Sequence, residues 1–227
     1  MPSTAGRAPD PRPARTKAAI FAAARDLSAR DGEVTVNALA QRAGVSRAAF
    51  YSHFSGLDDL MSAMLATMFD RQQERSVELA AEGRSIQEMV RVSAATMVAY
   101  VAHHQAFLRG ALDWKFSHRT YLILVATLAD LHAMALDRLG DQVPLSPPIP
   151  QMARYFAGGS LDLLIQWLIE TEQDAREGRE LDREPLLAAV LRMLPSWYTG
   201  LEPQDPIPED LVLEWLVTDP DDSAGAA

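Results

Sequence analysis

The sequence predicts an all-α chain, with a small N-terminal three-helix domain carrying a helix-turn-helix and a larger C-terminal helical body. Three observations predict it. Apolar residues recur at three- and four-residue spacing through most of the 227 residues, and strand-like alternation is nowhere sustained. Residues 35–54, TVNALAQRAGVSRAAFYSHF, read as two short helices joined by a tight turn. At 48% apolar residues, the chain has enough material for a sizeable core.

Each element has its own justification. Residues 1–13 hold four prolines among small polar residues and predict a disordered basic arm. From Ala14 a helix runs to about Arg30, with Ala18, Ile20, Phe21, Ala24 and Leu27 on its buried face and Gly32 ending it. Thr35 caps the next helix, which runs through Ala43 and has Leu39, Ala40 and Ala43 as its apolar face. Gly44 supplies the left-handed backbone that ends it, Val45 fills the corner, and Ser46 caps a further helix from Arg47 to about His53. Phe50 and Phe54 stand four apart and point to the core, which leaves Arg47, Ala48, Ala49, Ser52 and His53 facing outward. A helix placed this way sets its first residues against base edges in the DNA major groove.

The body comes next. Asp58 caps a long helix reaching about Ala81, with Leu60, Met61, Met64, Leu65, Met68 and Phe69 inward, and Gly83 breaks it. Ser85-Ile86-Gln87-Glu88 is a capping box, opening a helix that carries Met89, Val90, Met97, Val98 and Val101. His103 to His118 is less regular and holds a short helix around Phe107–Leu112. Another helix spans about Arg119 to Leu139 and stops at Gly140, and VPLSPPIP is a surface loop. Helices over 150–174 and 185–197 complete the body, and an acidic, proline-rich tail covers 201–227, with a short apolar segment at Leu211 to Val217. The domain boundaries read from this pattern are 1–13, 14–57, 58–200 and 201–227.

Residues 14–60 resemble the DNA-binding domain of TetR-family transcriptional repressors. Gly32, Thr35, Leu39-Ala40, Ala43-Gly44-Val45-Ser46, Phe50-Tyr51 and His53-Phe54 sit where that family has its characteristic residues. One departure is Leu57, where the family often has a lysine. The resemblance implies that Tyr51 and His53 contact phosphates, with Thr35 and Ser46 assisting at helix N-termini. Arg47 is then the best placed to read a base. The candidate DNA-binding residues are Thr35, Asn37, Ser46, Arg47, Ala48, Ala49, Tyr51, Ser52 and His53. The expected partner is a palindromic double-stranded operator, with repression as the family's usual role. An activator, a ligand-independent regulator, or an adaptor using its helix-turn-helix on a protein are the alternatives.

Net charge, −10, argues at first against nucleic acid, but its distribution does not. Residues 1–57 hold eight basic groups (Arg7, Arg12, Arg15, Lys17, Arg25, Arg30, Arg42, Arg47) against four acidic ones (Asp10, Asp26, Asp31, Glu33). That segment is +4 and the remainder −14. Screening cuts off distant charge beyond about 8–10 Å, so the local balance decides phosphate binding. There are no cysteines, which excludes disulfides and cysteine-ligated zinc and suits a reducing compartment. No run approaches the roughly 18 apolar residues of a membrane span, and the first residues hold no signal-peptide core, so a cytoplasmic protein is expected. No phosphate loop, dinucleotide fingerprint, HExxH or GxSxG occurs, and neither an enzyme nor a cofactor is expected.

Two further expectations concern the body. Helix 150–174 is apolar over a wide arc (Met152, Phe156, Leu161, Leu163, Leu164, Ile165, Trp167, Leu168, Ile169), more than one core can cover. With helix 185–197 it matches the pair that forms a four-helix bundle between twofold mates in TetR-like proteins, and Gly158-Gly159 leaves room for a second backbone. A homodimer through both helices is therefore expected. The middle of the chain also gathers aromatic and polar-tipped residues. Met97, Tyr100, His104, Trp114, Tyr121, Phe156 and Trp167 are the candidates for binding a small apolar or aromatic effector. His103 and His104 are adjacent on a helix and point about 100° apart, so no metal site is expected there.

Overall fold

The computed structural model describes residues 12–28, 34–106, 108, 109, 112 and 118–208, and every described element is helical. Residues 1–11, Gly32, Phe107, Trp114, Phe116 and the tail from 209, with its Leu211–Val217 segment, lie outside the described residues, as do the side chains of Met68 and Phe69.

Three helices make the head. α1 (Arg12–Ser28) buries Ile20, Ala23 and Ala24. It starts two residues before Ala14 because Pro13 falls in the first turn, where its missing N–H breaks no helical bond. Arg12 and Arg15, predicted on or beside a loose arm, are therefore on a helix. α2 (Val36–Arg42) is capped by Thr35, whose hydroxyl accepts from the Ala38 amide at 3.2 Å. α3 (Arg47–His53) is capped by Ser46, which accepts from the Ala49 amide at 3.0 Å. Between them Gly44 has φ +66, a conformation other residues adopt only at a cost. The three pack on each other, and Arg42 on α2 pairs with Asp26 on α1 at 2.6 Å.

α4 (Leu57–Ala81) joins head to body. It begins two residues earlier than a cap at Asp58 predicts. Gly56 holds the cap position without a side-chain bond, Asp58 lies in the first turn, and Asp59 accepts from the Ser55 amide at 2.8 Å. Leu57, where the family often has a lysine, is half-buried against the core. α5 (Ile86–His103) opens with the predicted capping box, Ser85 and Glu88 each accepting from the other's backbone. Those bonds hold the Glu88 carboxyl below its ordinary range.

α6 (His118–Leu139) and α7 (Ile149–Glu170) form the most extensive helix–helix contact among the described residues. The predicted helix 150–174 is in fact two. α7 ends at Glu170, where Thr171 bonds back to the Trp167 carbonyl at 2.6 Å, and α8 (Glu172–Arg176) is a separate short turn. Arg109 fastens the segment before α6 to this end, donating to the Leu168 carbonyl at 2.7 Å and the Thr171 hydroxyl at 2.6 Å. The predicted helix 185–197 is likewise shorter. α9 (Glu184–Met193) stops because Pro195 disfavours a helical Leu194, and α10 (Ser196–Thr199) follows as one turn. Gly200 closes α10 with φ +68, and Arg91 of α5 donates to the Thr199 carbonyl at 2.6 Å. A Cβ at Gly200 would stand 3.1 Å from the Arg91 guanidinium and 3.2 Å from Gln87 Cβ.

The core forms two clusters. One runs from the head into the body, joining Ile20, Leu39, Phe50, Phe54, Leu60, Met61 and Leu65 to Leu124, Leu136, Phe156 and Tyr198. The other joins Leu79, Val98, Leu164, Trp167, Leu187 and Leu191. Met97, Ile86 and Leu108 pack against both. Fully burying one such side chain contributes about 1.5–3 kcal/mol. The head is thus not an independent bead: α4 places its first two turns in the same cluster as the recognition helix.

Candidate functional site

The outward face of the head is set by what α3 buries. Phe50 is fully buried and Phe54 is 3% exposed, and their rings lie 5.6 Å apart. Phe21 of α1 stacks on Phe54 at 6.0 Å. With that side fixed, Arg47, Ala48 and Ser52 are exposed, and Ala49 and His53 are half-exposed. Tyr51 is 50% exposed, its ring edge-on to Phe50 at 5.5 Å. Asn37 is exposed at the start of α2. The hydroxyls of Thr35 and Ser46 accept from their own helices, and each keeps its hydrogen to donate outward. The Ser52 hydroxyl is engaged with the Ala49 carbonyl at 2.7 Å. All nine predicted DNA-binding residues therefore lie on α3, at its cap, or at the start of α2.

Among the cavities of the body, two apolar ones adjoin. The outer one, about 110 Å³, is enclosed by α5, α6, α7, α9 and α10. Its wall is aliphatic except for Ser93, His132, Arg138, Ser160 and Tyr198. The inner one, about 60 Å³, lies between α4, α5, α6 and α7 and is lined by Met61, Leu65, Leu108, Leu124, Leu161 and other apolar residues, with the Tyr100 ring. Met97, Leu128 and Leu164 line both, so the cavities abut there.

Residues 19–64 match the family model described as bacterial regulatory proteins, tetR family. That match covers the helix-turn-helix and the first turns of α4. Residues 19–64 thus belong to the tetR family of bacterial regulatory proteins. No curated protein matches it in sequence. Solved TetR-family structures share its fold at low identity. FadR from Thermus thermophilus, a repressor determined in complex with lauroyl-CoA, is 24% identical over 85% of this chain and 98% of that one, with a TM-score of 0.58. FadR from Bacillus halodurans, a fatty acid degradation regulator, is 14% identical over 87% and 98%, with a TM-score of 0.61. TylP from Streptomyces fradiae is 18% identical over 93% and 99%, with a TM-score of 0.55.

The predicted effector residues scatter in the body. Met97 lines both cavities and Tyr100 the inner one. His104 does not line either; its ring lies 4.2 Å from that of Tyr100. Tyr121 is half-buried against the core, and Phe156 is buried against Tyr198, ring centres 5.2 Å apart. Trp167 is 8% exposed and its indole N–H points to the Asp182 carbonyl at 3.4 Å, so it fastens a loop and does not line either cavity. Trp114 lies outside the described residues. Aromatic residues look ligand-like in the sequence, yet in this body they mostly fill the core.

Sequence reasoning missed the polar side of the outer cavity. His132 Nδ1 and the Tyr198 hydroxyl are 2.8 Å apart. Burial pushes the His132 imidazole down to about 4, so it is neutral near pH 7, and pushes the Tyr198 phenol up. Arg138 is exposed and forms no ion pair among the described residues. A lone histidine on an apolar helix gives no pattern to detect; only the packing reveals the pair.

The dimer expectation needs correcting in its detail. The wide arc of α7 is mostly consumed inside one subunit: Met152, Phe156, Leu161, Leu164, Trp167 and Leu168 are all buried there. What remains outward is a narrower stripe, Tyr155 at 76% and Ile169 at 55% exposure, with Gly159 between them. On α9, Met193 is 72% exposed. Among the described residues beyond their own helix turns, nothing comes within 4 Å of a Cβ built on Gly158 or Gly159. No helix among the described residues is long and apolar enough to cross a membrane.

Proposed function

We propose that this regulator is a cytoplasmic, dimeric repressor that holds a palindromic duplex through α3 of each subunit and releases it when a small apolar molecule fills the body. The observation that carries the reading is the position of α4. Met61 and Leu65 line the inner cavity and sit in the same core cluster as Phe50 and Phe54 of the recognition helix. A molecule in the cavity and a duplex at α3 thus act on one packed unit, and linkage makes their effects reciprocal. The complex of Thermus thermophilus FadR with lauroyl-CoA is a parallel case on the same fold. Arg47 reads bases, Tyr51 and His53 hold phosphates, and Thr35, Asn37, Ser46, Ala48, Ala49 and Ser52 complete the contact face. The stripe of Tyr155, Gly159, Ile169 and Met193 faces the twofold mate.

The test begins with duplex selection from a random-sequence pool, which should converge on an inverted repeat. Affinity for that duplex should fall steeply with salt, because each neutralised phosphate releases about 0.9 counterion. Replacing the exposed Arg15 of α1 by Gln should lower the slope by at most about one per subunit. A chain that selects no duplex, or whose binding ignores salt, is not a DNA-binding regulator.

A further inference from the structure

The two cavities differ in what stands behind them. No residue of α4 lines the outer cavity; its walls come from α5, α6, α7, α9 and α10. The inner cavity is the one with Met61 and Leu65 of α4 in its wall, and through them the core of the head. Between the two stand Met97, Leu128 and Leu164. Leu128 and Leu164 are buried, whereas Met97 is half-buried, unbranched and flexible, so it is the member of the trio that can swing aside. With Met97 aside the two cavities become one elongated space, which suits a single chain better than a ring system.

Taking the protein as a ligand-released regulator, we propose that its effector is a single-chain amphiphile with an anionic head, and that the length of that chain decides whether DNA is released. The head lies at the rim with the exposed Arg138, which has no ion-pair partner among the described residues. The chain runs inward past Ser160 and Leu164 toward Met97. Chains that end in the outer cavity bind silently. Chains that pass Met97 reach Met61 and Leu65 and act on the head. The logic is that of differential affinity. A ligand shifts an equilibrium only if it contacts what differs between the states. Of the two cavities, the inner one is where a ligand touches the helix shared with the recognition core.

The volumes set the length. A cavity of about 150 Å³ holds the six carbons of benzene. The outer cavity, about 110 Å³, therefore accepts on the order of four carbon groups, and the inner one, about 60 Å³, on the order of two.

The experiment uses straight-chain carboxylates of increasing length, the full-length protein, and its selected duplex. Ligand binding is followed by calorimetry and DNA binding by fluorescence anisotropy. Affinity should rise about fourfold for each added methylene. DNA affinity should stay level up to about four carbons and then drop by roughly 5–150-fold. Leu108→Trp, which fills the inner cavity alone, should leave long chains able to bind but unable to release DNA, relative to that variant's own ligand-free affinity. Arg138→Gln should weaken carboxylates and leave the matching alcohols unchanged. Release that tracks affinity smoothly from the shortest chain overturns the proposal. So does a series that does not bind, or release driven equally by rigid ring compounds. The length series on the unaltered protein decides the matter even if Leu108→Trp folds poorly. Failure of the regulator reading would show earlier, as no selected duplex before any ligand is added.

Discussion

The head and the body use the same kind of helix in opposite senses. In the head, α3 buries two aromatics and shows the solvent Arg47, Ala48, Tyr51 and Ser52. In the body, α5 and α7 turn their apolar sides to each other's neighbours and leave gaps between them, so the candidate binding surface is interior. An outward site must be made of residues a core rejects, which sets it apart. An inward apolar site is made of the residues a core prefers, and nothing in composition separates lining from filling.

The largest expected effects test whether the two regions share one core. Phe50→Ala should destabilise the protein by about 3–5 kcal/mol, and Leu187→Ala, fully buried at the other end, by about 2–5 kcal/mol. Both should shift a single calorimetric transition, since one cluster runs from Phe50 to Tyr198 and Ile86, Met97 and Leu108 join it to the cluster of Leu187. Two separate transitions, each sensitive to only one change, would make head and body independent.

A second contrast lies within α7. Ile169→Arg on the exposed stripe should dissociate the proposed dimer, because a charge buried without a partner costs about 3–5 kcal/mol. Leu164→Ala, buried inside the subunit, should lower the melting temperature and leave the mass seen in sedimentation unchanged. The reverse pattern would place the interface on the face we assign to the core.

The outer cavity should make stability depend on acid. His132 titrates near 4 in the folded protein, against its ordinary 6.5. Below pH 6.5 the unfolded chain takes up a proton that the folded one refuses. Stability from this group is therefore full above 6.5 and falls as pH drops toward 4, by up to about 1.4 kcal/mol per pH unit. His132→Phe should flatten that window in chemical-denaturation curves. It should also cost about 1–3 kcal/mol at neutral pH, through the orphaned Tyr198 hydroxyl. An unchanged slope between 6.5 and 4 would show that the ring is not shut off from water.

The smallest effects belong to the head's surface. Arg47→Ala should cost about 1–3 kcal/mol on the selected duplex and relax preference at one position per half-site. Tyr51→Phe should weaken all sequences alike. Equal loss on selected and random duplex for Arg47→Ala would make it a phosphate contact instead.

What the sequence revealed divides along the same line. Thr35, Ser46 and the Ser85–Glu88 box announce helix starts because their side chains bond the first free amides, a local effect. Family resemblance concentrates in the head for the same reason: its turn and outward residues have little freedom to vary. Ends are harder. Pro13 reads as disorder although a first helical turn accepts it. Pro195 does carry the signal that α9 must stop, but the apolar run through Leu194 and Trp197 outweighs it when spacing alone is read. The split at Thr171 depends on a side-chain bond to Trp167 that no spacing announces. The cavity is the least legible part. Met89, Leu128 and Leu161 line space, while Leu136, Leu187 and Leu191 fill it, and the two sets differ in partners and not in type.

Gly200 gives the fold an uneven tolerance of mutation. Every missense change at a glycine codon adds a Cβ. At Gly200 that atom meets a left-handed backbone and, at 3.1 Å and 3.2 Å, Arg91 and Gln87. At Gly158 and Gly159 it meets nothing within 4 Å. In a library of random variants sorted for folded subunits, Gly200 should be nearly fixed while the helical pair drifts. If the pair is also fixed once the sorting demands function, the restriction comes from outside the subunit, and the codon usage of survivors becomes a footprint of the second chain.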